Sequence, residues 1–236
     1  MEEYGTSDGV LIVERHRPSR SDDERHGGTV GLRHREEELA LRFASAAEYW
    51  DPDASAHVRR IGLYSASVAL KCGWDVERAE NLRIAAMLHD VGNVAVPAEI
   101  LRKPGSLTPD EFQTVKTHTV VGARILEGSE APMVALAAEI ALSHHERWNG
   151  SGYPRRLKAE QISEAARIVS LVDAYDALSE VRPYKSAFPE SEVIDTIVTA
   201  SGVYFDPEVV QSFLEALPEL RQIRNSVSRS IPISGV

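Results

Sequence analysis

Apolar residues recur at helical spacing through most of the chain. Between His57 and Lys71, Val58, Ile61, Tyr64 and Val68 fall three or four positions apart, and the run halts at Gly73. Asp75 stands where a cap belongs for the next helix, Val76 to Asp90, whose stripe includes Leu82, Ala85, Ala86 and Leu88. Val91-Gly92-Asn93 then turns the chain. Val96 to Leu107 is a connector broken by Pro104-Gly105. Thr108-Pro109-Asp110-Glu111 spells a capping box with proline at the first helical position, opening a helix that carries His118 and ends near Gly128. Further helices are expected over Ala131–His145, Glu160–Ser179, Ser191–Ala200 and Asp206–Leu217, the last stopped by Pro218. No alternating stretch is long enough for a sheet, although two-residue ribbons fit in loops. The pattern predicts an all-α fold, a single helical bundle around one core.

The two ends of the chain break this pattern. Residues 1–45 mix charge with Gly and Pro, as in Glu14-Arg15-His16-Arg17-Pro18, and read as an N-terminal arm, flexible or docked on something else. Its histidines, His16, His26 and His34, are expected in solvent. Residues 46–220 form the expected domain, and a polar tail follows over 221–236. At 236 residues and 43% hydrophobic, the chain suits one compact domain with short appendages. No apolar run reaches membrane-spanning length, the start lacks a signal peptide's pattern, and the single Cys72 precludes an internal disulfide framework. The expectation is a cytoplasmic chain with no membrane partner. A net charge of −10 argues against polymeric nucleic acid. It leaves room for a small phosphate ligand, because bound dications reverse the local sign of an acidic pocket.

The chemistry concentrates around His144–Pro154, His-His-Glu-Arg-Trp-Asn-Gly-Ser-Gly-Tyr-Pro, where two adjacent imidazoles end an apolar helix and a Gly-rich loop follows. Matching ligands occur elsewhere: His57, the pair His89-Asp90, His118 and Asp173. Five of the eight histidines are thus at helix ends or inside predicted helices. His89-Asp90 closes an apolar run, where an unpaired charge is costly; a carboxylate there can bridge two metals while imidazoles complete each sphere. Asp176 follows Asp173 on the same helix face. Taken singly, Asp173 could cap a helix or pair with an arginine, and His118 could be a core histidine bonded to a carbonyl. Taken together, the ligand types favour a metal site.

Over roughly residues 50–215 these segments resemble the HD-GYP subgroup of the HD-domain metal-dependent phosphohydrolases. The resemblance rests on His57-Val58-Arg59-Arg60, His89-Asp90-Val91-Gly92, Leu101 to Thr108, and His118 with Gly122. It continues through His144-His145-Glu146, Asn149 to Pro154, Asp173 to Leu178, Arg182-Pro183-Tyr184 and Phe205-Asp206-Pro207. It implies a bundle with a two- or three-iron centre that hydrolyses cyclic di-GMP or a related cyclic dinucleotide, to linear dinucleotide, GMP or both. The implied metal ligands are His89, Asp90, His118, His144, His145 and Asp173, with Asp90 as the bridge, and His57 from the first domain helix. Two divalent ions, iron or manganese, are implied. A trinuclear member would also use a glutamate one turn before His57; this chain has Asp53 there, a shorter carboxylate that could still reach a third ion. Arg182 and Lys185 match positions that contact substrate phosphates, suited to a guanidinium fork and an ammonium. Tyr153 and Gly152 belong to the loop beside the substrate, with packing the leading role for Tyr153. Asp176 is expected to orient the nucleophile or a histidine proton.

Two positions depart from the family pattern. Asn93 replaces a usual lysine and weakens the stabilisation of charge on phosphate, so slower turnover is expected. Asn149 replaces an aspartate, a change that loop geometry tolerates. Rival readings are a slow, metal-containing receptor for a cyclic dinucleotide and a phosphohydrolase of another nucleotide. The arm is the expected route to a homodimer or a signalling partner.

Overall fold

The computed structural model describes residues 6–7, 10–11, 27–49, 51, 53–180 and 187–229. Nine helices are seen among them: α1 (Gly27–Ala47), α2 (Ala54–Lys71), α3 (Val76–Ala86), α4 (Ala98–Leu101), α5 (Pro109–Leu126), α6 (Pro132–Ser143), α7 (Glu164–Ser179), α8 (Glu190–Thr199) and α9 (Pro207–Arg229). A two-residue ribbon pairs Thr6–Ser7 with Val10–Leu11. The all-α expectation holds.

Central to the bundle is α2, which packs against α1, α3, α7 and α9, while α6 packs against α3, α5 and α7. Val58, Ile61, Tyr64 and Val68 on α2 are fully buried, as their spacing predicts. The stop at Gly73 is a Schellman motif: Gly73 takes φ +86°, Trp74 N–H bonds Ala69 O at 3.0 Å, and Gly73 N–H bonds Leu70 O at 3.1 Å. Asp75 caps α3 by accepting from Arg78 N at 2.8 Å. The capping box of α5 also forms, with Glu111 N–H on Thr108 Oγ1 and Thr108 N–H on Glu111 Oε2.

Both chain ends hold more helix than the pattern predicts. From residue 27 the expected arm is α1, and His34 is exposed on it. Ala40, Ala44 and Ala47 bury one face against the bundle, and Arg83 on α3 grips Glu37 through two bonds of 2.9 and 3.1 Å. Small alanines give little hydrophobic signal, which is why this face is faint in the sequence. Pro218 does not stop α9, and the helix runs past Arg221 to Arg229. An internal proline costs about 3 kcal/mol. Burial of Leu217, Leu220, Ile223 and Val227 outweighs it. His16, His26 and the tail from residue 230 lie outside the described residues.

Candidate metal centre

The site is built where the C-terminal ends of α3 and α6 and the middle of α5 meet α2 and α7. Three of the histidines are set by their own backbone. His89 donates from Nδ1 to Ala86 O at 3.0 Å, His118 to Val115 O at 2.6 Å and His144 to Ile140 O at 3.1 Å. These bonds place the proton on Nδ1 and turn each Nε2 lone pair inward.

Those lone pairs converge on Asp90. His118 Nε2 and His144 Nε2 lie 3.2 and 3.3 Å from Asp90 Oδ1 and 3.4 Å from one another. On the other side, Asp90 Oδ2 is 3.8 Å from His89 Nε2. Electron-rich atoms this close repel unless a proton or a cation lies among them. Among the described residues, His89 Nε2 and Asp90 Oδ1 are buried with no hydrogen-bond partner. Such orphaned atoms are costly in a protein interior and fit a metal ligand set.

Two groups of ligand-type atoms result, Asp90 with His118, His144 and His145, and His57 with His89 and Asp173. His57 Nε2 is 3.8 Å from Asp173 Oδ1, and His89 Nε2 is 4.0 Å from the same oxygen. The seven residues predicted as ligands are therefore brought together. Imidazole and carboxylate donors in this number suit a divalent transition metal. A cavity of about 230 Å³ opens onto them, lined also by Glu48, Asn93, Leu101, Val115 and Ala177.

Electrostatics follow from this crowding. Burial lowers the pKa of His89, and burial with the neighbouring His144 holds His145 well below the usual imidazole range. Burial opposes charge on His118 as well, but Asp90 outweighs it and raises its pKa. For His57, burial is overcome by the hydrogen bond to Asp176, and its pKa is raised to about 9. The carboxyl of Asp90 resists burial and is held well below its ordinary value by the surrounding histidines.

Asp176 does not reach the cavity. Its Oδ2 accepts from His57 Nδ1 at 2.8 Å, and Arg60 donates to both its oxygens at 2.6 and 3.0 Å. Of the two roles expected for it, the geometry supplies the one that holds a histidine proton. Arg60 is buried and also donates to Asp53 at 2.8 Å. Asp53 sits just outside α2 as its N-cap residue, with its carboxylate turned to Arg60 and half exposed. The carboxylate expected near a third metal therefore lies outside both ligand groups.

Asn93 is buried in a 3-10 turn, Val91–Ala95, and its amide donates to Asp90 Oδ2 at 3.0 Å. One of its two amide N–H donors is used on the ligand carboxylate. Tyr153 lies against the His145 ring, with centroids 4.9 Å apart, and against Phe112. Gly152 is buried, and a side chain there is excluded because a Cβ would meet His145 O, Glu146 Cα and Arg147 N at 2.5 Å. Asn149 makes the expected turn, accepting from Ser151 N at 2.9 Å. Arg182 and Lys185 lie outside the described residues.

Two contributors escape the sequence pattern. Glu146 is buried and accepts from Arg155 N and Leu157 N, pinning the loop that follows the histidines. Glu48 is buried at the end of α1 with its carboxyl facing the cavity; burial and then Asp90 raise its pKa to about 8. The signal for Glu48 is phase: it lies one turn beyond Ala44 on the alanine face of α1.

Comparison with known proteins agrees with this architecture. A family model for the HD domain matches residues 44–209, most of the chain. The protein named cyclic di-GMP phosphodiesterase in Thermotoga maritima is 43% identical over 177 residues, 75% of this chain and 48% of its own. The 3'3'-cGAMP-specific phosphodiesterase 2 of Vibrio cholerae is 37% identical over 198 residues, 84% of this chain and 38% of its own. Among solved structures, the HDG"Y"P protein Bd1817 of Bdellovibrio bacteriovorus superposes with a TM-score of 0.56 at 20% identity. That match covers 84% of this chain and 66% of the other. The chain belongs to the HD domain family. It spans less than half the length of these two named phosphodiesterases. Family and site together define a divalent-metal fold. Among the described residues, no helix is long and apolar enough to cross a membrane.

Proposed function

We propose that this chain is a metal-dependent phosphodiesterase that hydrolyses cyclic di-GMP, giving linear dinucleotide, GMP or both. The observation that carries this reading is Asp90, whose two oxygens face different ligand groups: His118 and His144 at one oxygen, His89 at the other. A carboxylate so placed suits two ions sharing one bridge, iron or manganese by ligand type. Divalent ions held by His57, His89, Asp90, His118, His144, His145 and Asp173 would supply Lewis acidity toward a phosphoryl oxygen and a more acidic water.

The chain's own residues set the rest. Backbone carbonyls fix the tautomers of His89, His118 and His144, and Asp176 fixes that of His57. Asn93 orients Asp90, and Leu101, Val115 and Ala177 keep part of the cavity wall dry. Arg182 and Lys185 are proposed to hold phosphate oxygens beyond the ions' reach. The relatives' names divide between cyclic di-GMP and 3'3'-cGAMP, so both are substrates to test. The cytoplasm is the proposed compartment, which a single cysteine suits. The N-terminal segment is the proposed link to a second copy or a signalling partner.

A second reading is favoured by one observation: Asn93, neutral and bonded to Asp90, supplies no positive charge where the resemblance implies a lysine. In that case the domain is a slow receptor. Anaerobic loading with Fe(II) or Mn(II), then chromatography of products from each dinucleotide, separates the readings. Metal-dependent product supports the phosphodiesterase, saturable binding of intact ligand supports the receptor, and neither result with either ligand rejects both.

A further inference from the structure

We infer that Glu48, at the end of α1, is a metal ligand that completes the His57–His89–Asp173 side of the centre, the part that Asp53 does not play. The inference rests on the metal reading proposed above. Its ground is geometric. The face of α1 that buries Ala40, Ala44 and Ala47 also delivers Glu48 into the cavity shared with His57, Asp90 and Asp173. The residue is 4% exposed, and its carboxylate has no hydrogen bond or ion pair with any described residue. A third carboxylate confined with Asp90 and Asp173 is unfavourable unless a cation sits among them.

Asp53 cannot serve in its place without giving up Arg60. Its carboxylate bonds the same guanidinium that neutralises Asp176. The family's helical-turn spacing thus holds a carboxylate engaged elsewhere, and α1 supplies another from outside α2. Docking of α1 and completion of the centre become one event.

The test is Mn(II) binding to metal-free protein, measured by equilibrium dialysis with elemental analysis, for the wild type, Glu48→Gln and Asp53→Asn. Loss of one ligand is expected to weaken one ion in Glu48→Gln by roughly tenfold or more. Asp53→Asn is expected to bind as the wild type does. Circular dichroism checks that each variant is folded. Should Glu48→Gln fail to fold, anomalous diffraction from Mn(II)-loaded wild type decides, since the inference requires a Glu48 oxygen at coordination distance. Unchanged binding in folded Glu48→Gln, or an ion with Glu48 turned away, overturns the inference alone. No Mn(II) binding by the wild type overturns the metal reading beneath it.

Discussion

The two sides of the centre are held by different means. Around His118 and His144, each ring is fixed by a carbonyl three or four residues back on its own helix, so helix formation alone orients the ligand. Around His57, orientation comes from Asp176, which is 119 positions away in sequence, and Asp176 is in turn held by Arg60. Glu48 arrives from yet another helix. Local bonds make the first side insensitive to distant change. The second side depends on a buried charge network and on docking of α1, and it is there that Asp53 is turned away to Arg60.

The largest effect that would sharpen this contrast is expected from Arg60→Met. It leaves Asp176 charged and buried against His57 alone, at a cost of about 3–5 kcal/mol. Denaturant unfolding of the metal-free protein measures this; a loss under about 1 kcal/mol would mean that the network is not structural. Gly92→Ala strikes the locally built side. Its Cβ would lie 1.9 Å from His118 O, so α5 must shift, and a loss of about 3 kcal/mol is expected in the same assay.

Asp176→Asn is a smaller and more specific probe. Losing the acceptor that fixes His57 is expected to weaken metal binding by roughly 10–100-fold at that side, while ions at the His118 side stay. Uniform loss at both sides would contradict the division. The smallest effect is pH-dependent. Although burial opposes its charge, Glu37 is held below the ordinary carboxylate pKa by Arg83. Because its folded-state pKa is depressed, its stabilisation is present above the unfolded value, about 4.3, and fades as pH falls through the folded one. Comparing Glu37→Gln with wild type by urea unfolding should show a gap of about 1 kcal/mol at pH 6 that closes in acid.

The same contrast explains what the sequence made legible. Helix bodies, the Schellman stop at Gly73 and the side-chain caps of α3 and α5 are local, so spacing and residue type announced them. The ligands announced themselves as imidazoles and carboxylates within helices or at their ends. Partner choice did not: that Asp53 bonds Arg60, that Asp176 holds His57, and that Glu48 enters the cavity all depend on how helices far apart in sequence pack. The run of α9 through Pro218 is of the same kind, with tertiary burial of Leu220 and Ile223 overriding a local breaker.

The central claim is that both ligand groups form one centre through Asp90, and counting metal in Asp90→Ala tests it most directly. After anaerobic reconstitution with Mn(II) and removal of free ion, the wild type is expected to retain about two ions per chain. Asp90→Ala is expected to lose ions from both groups together, with helical content unchanged. Retention of the wild-type metal content in folded Asp90→Ala would contradict the account.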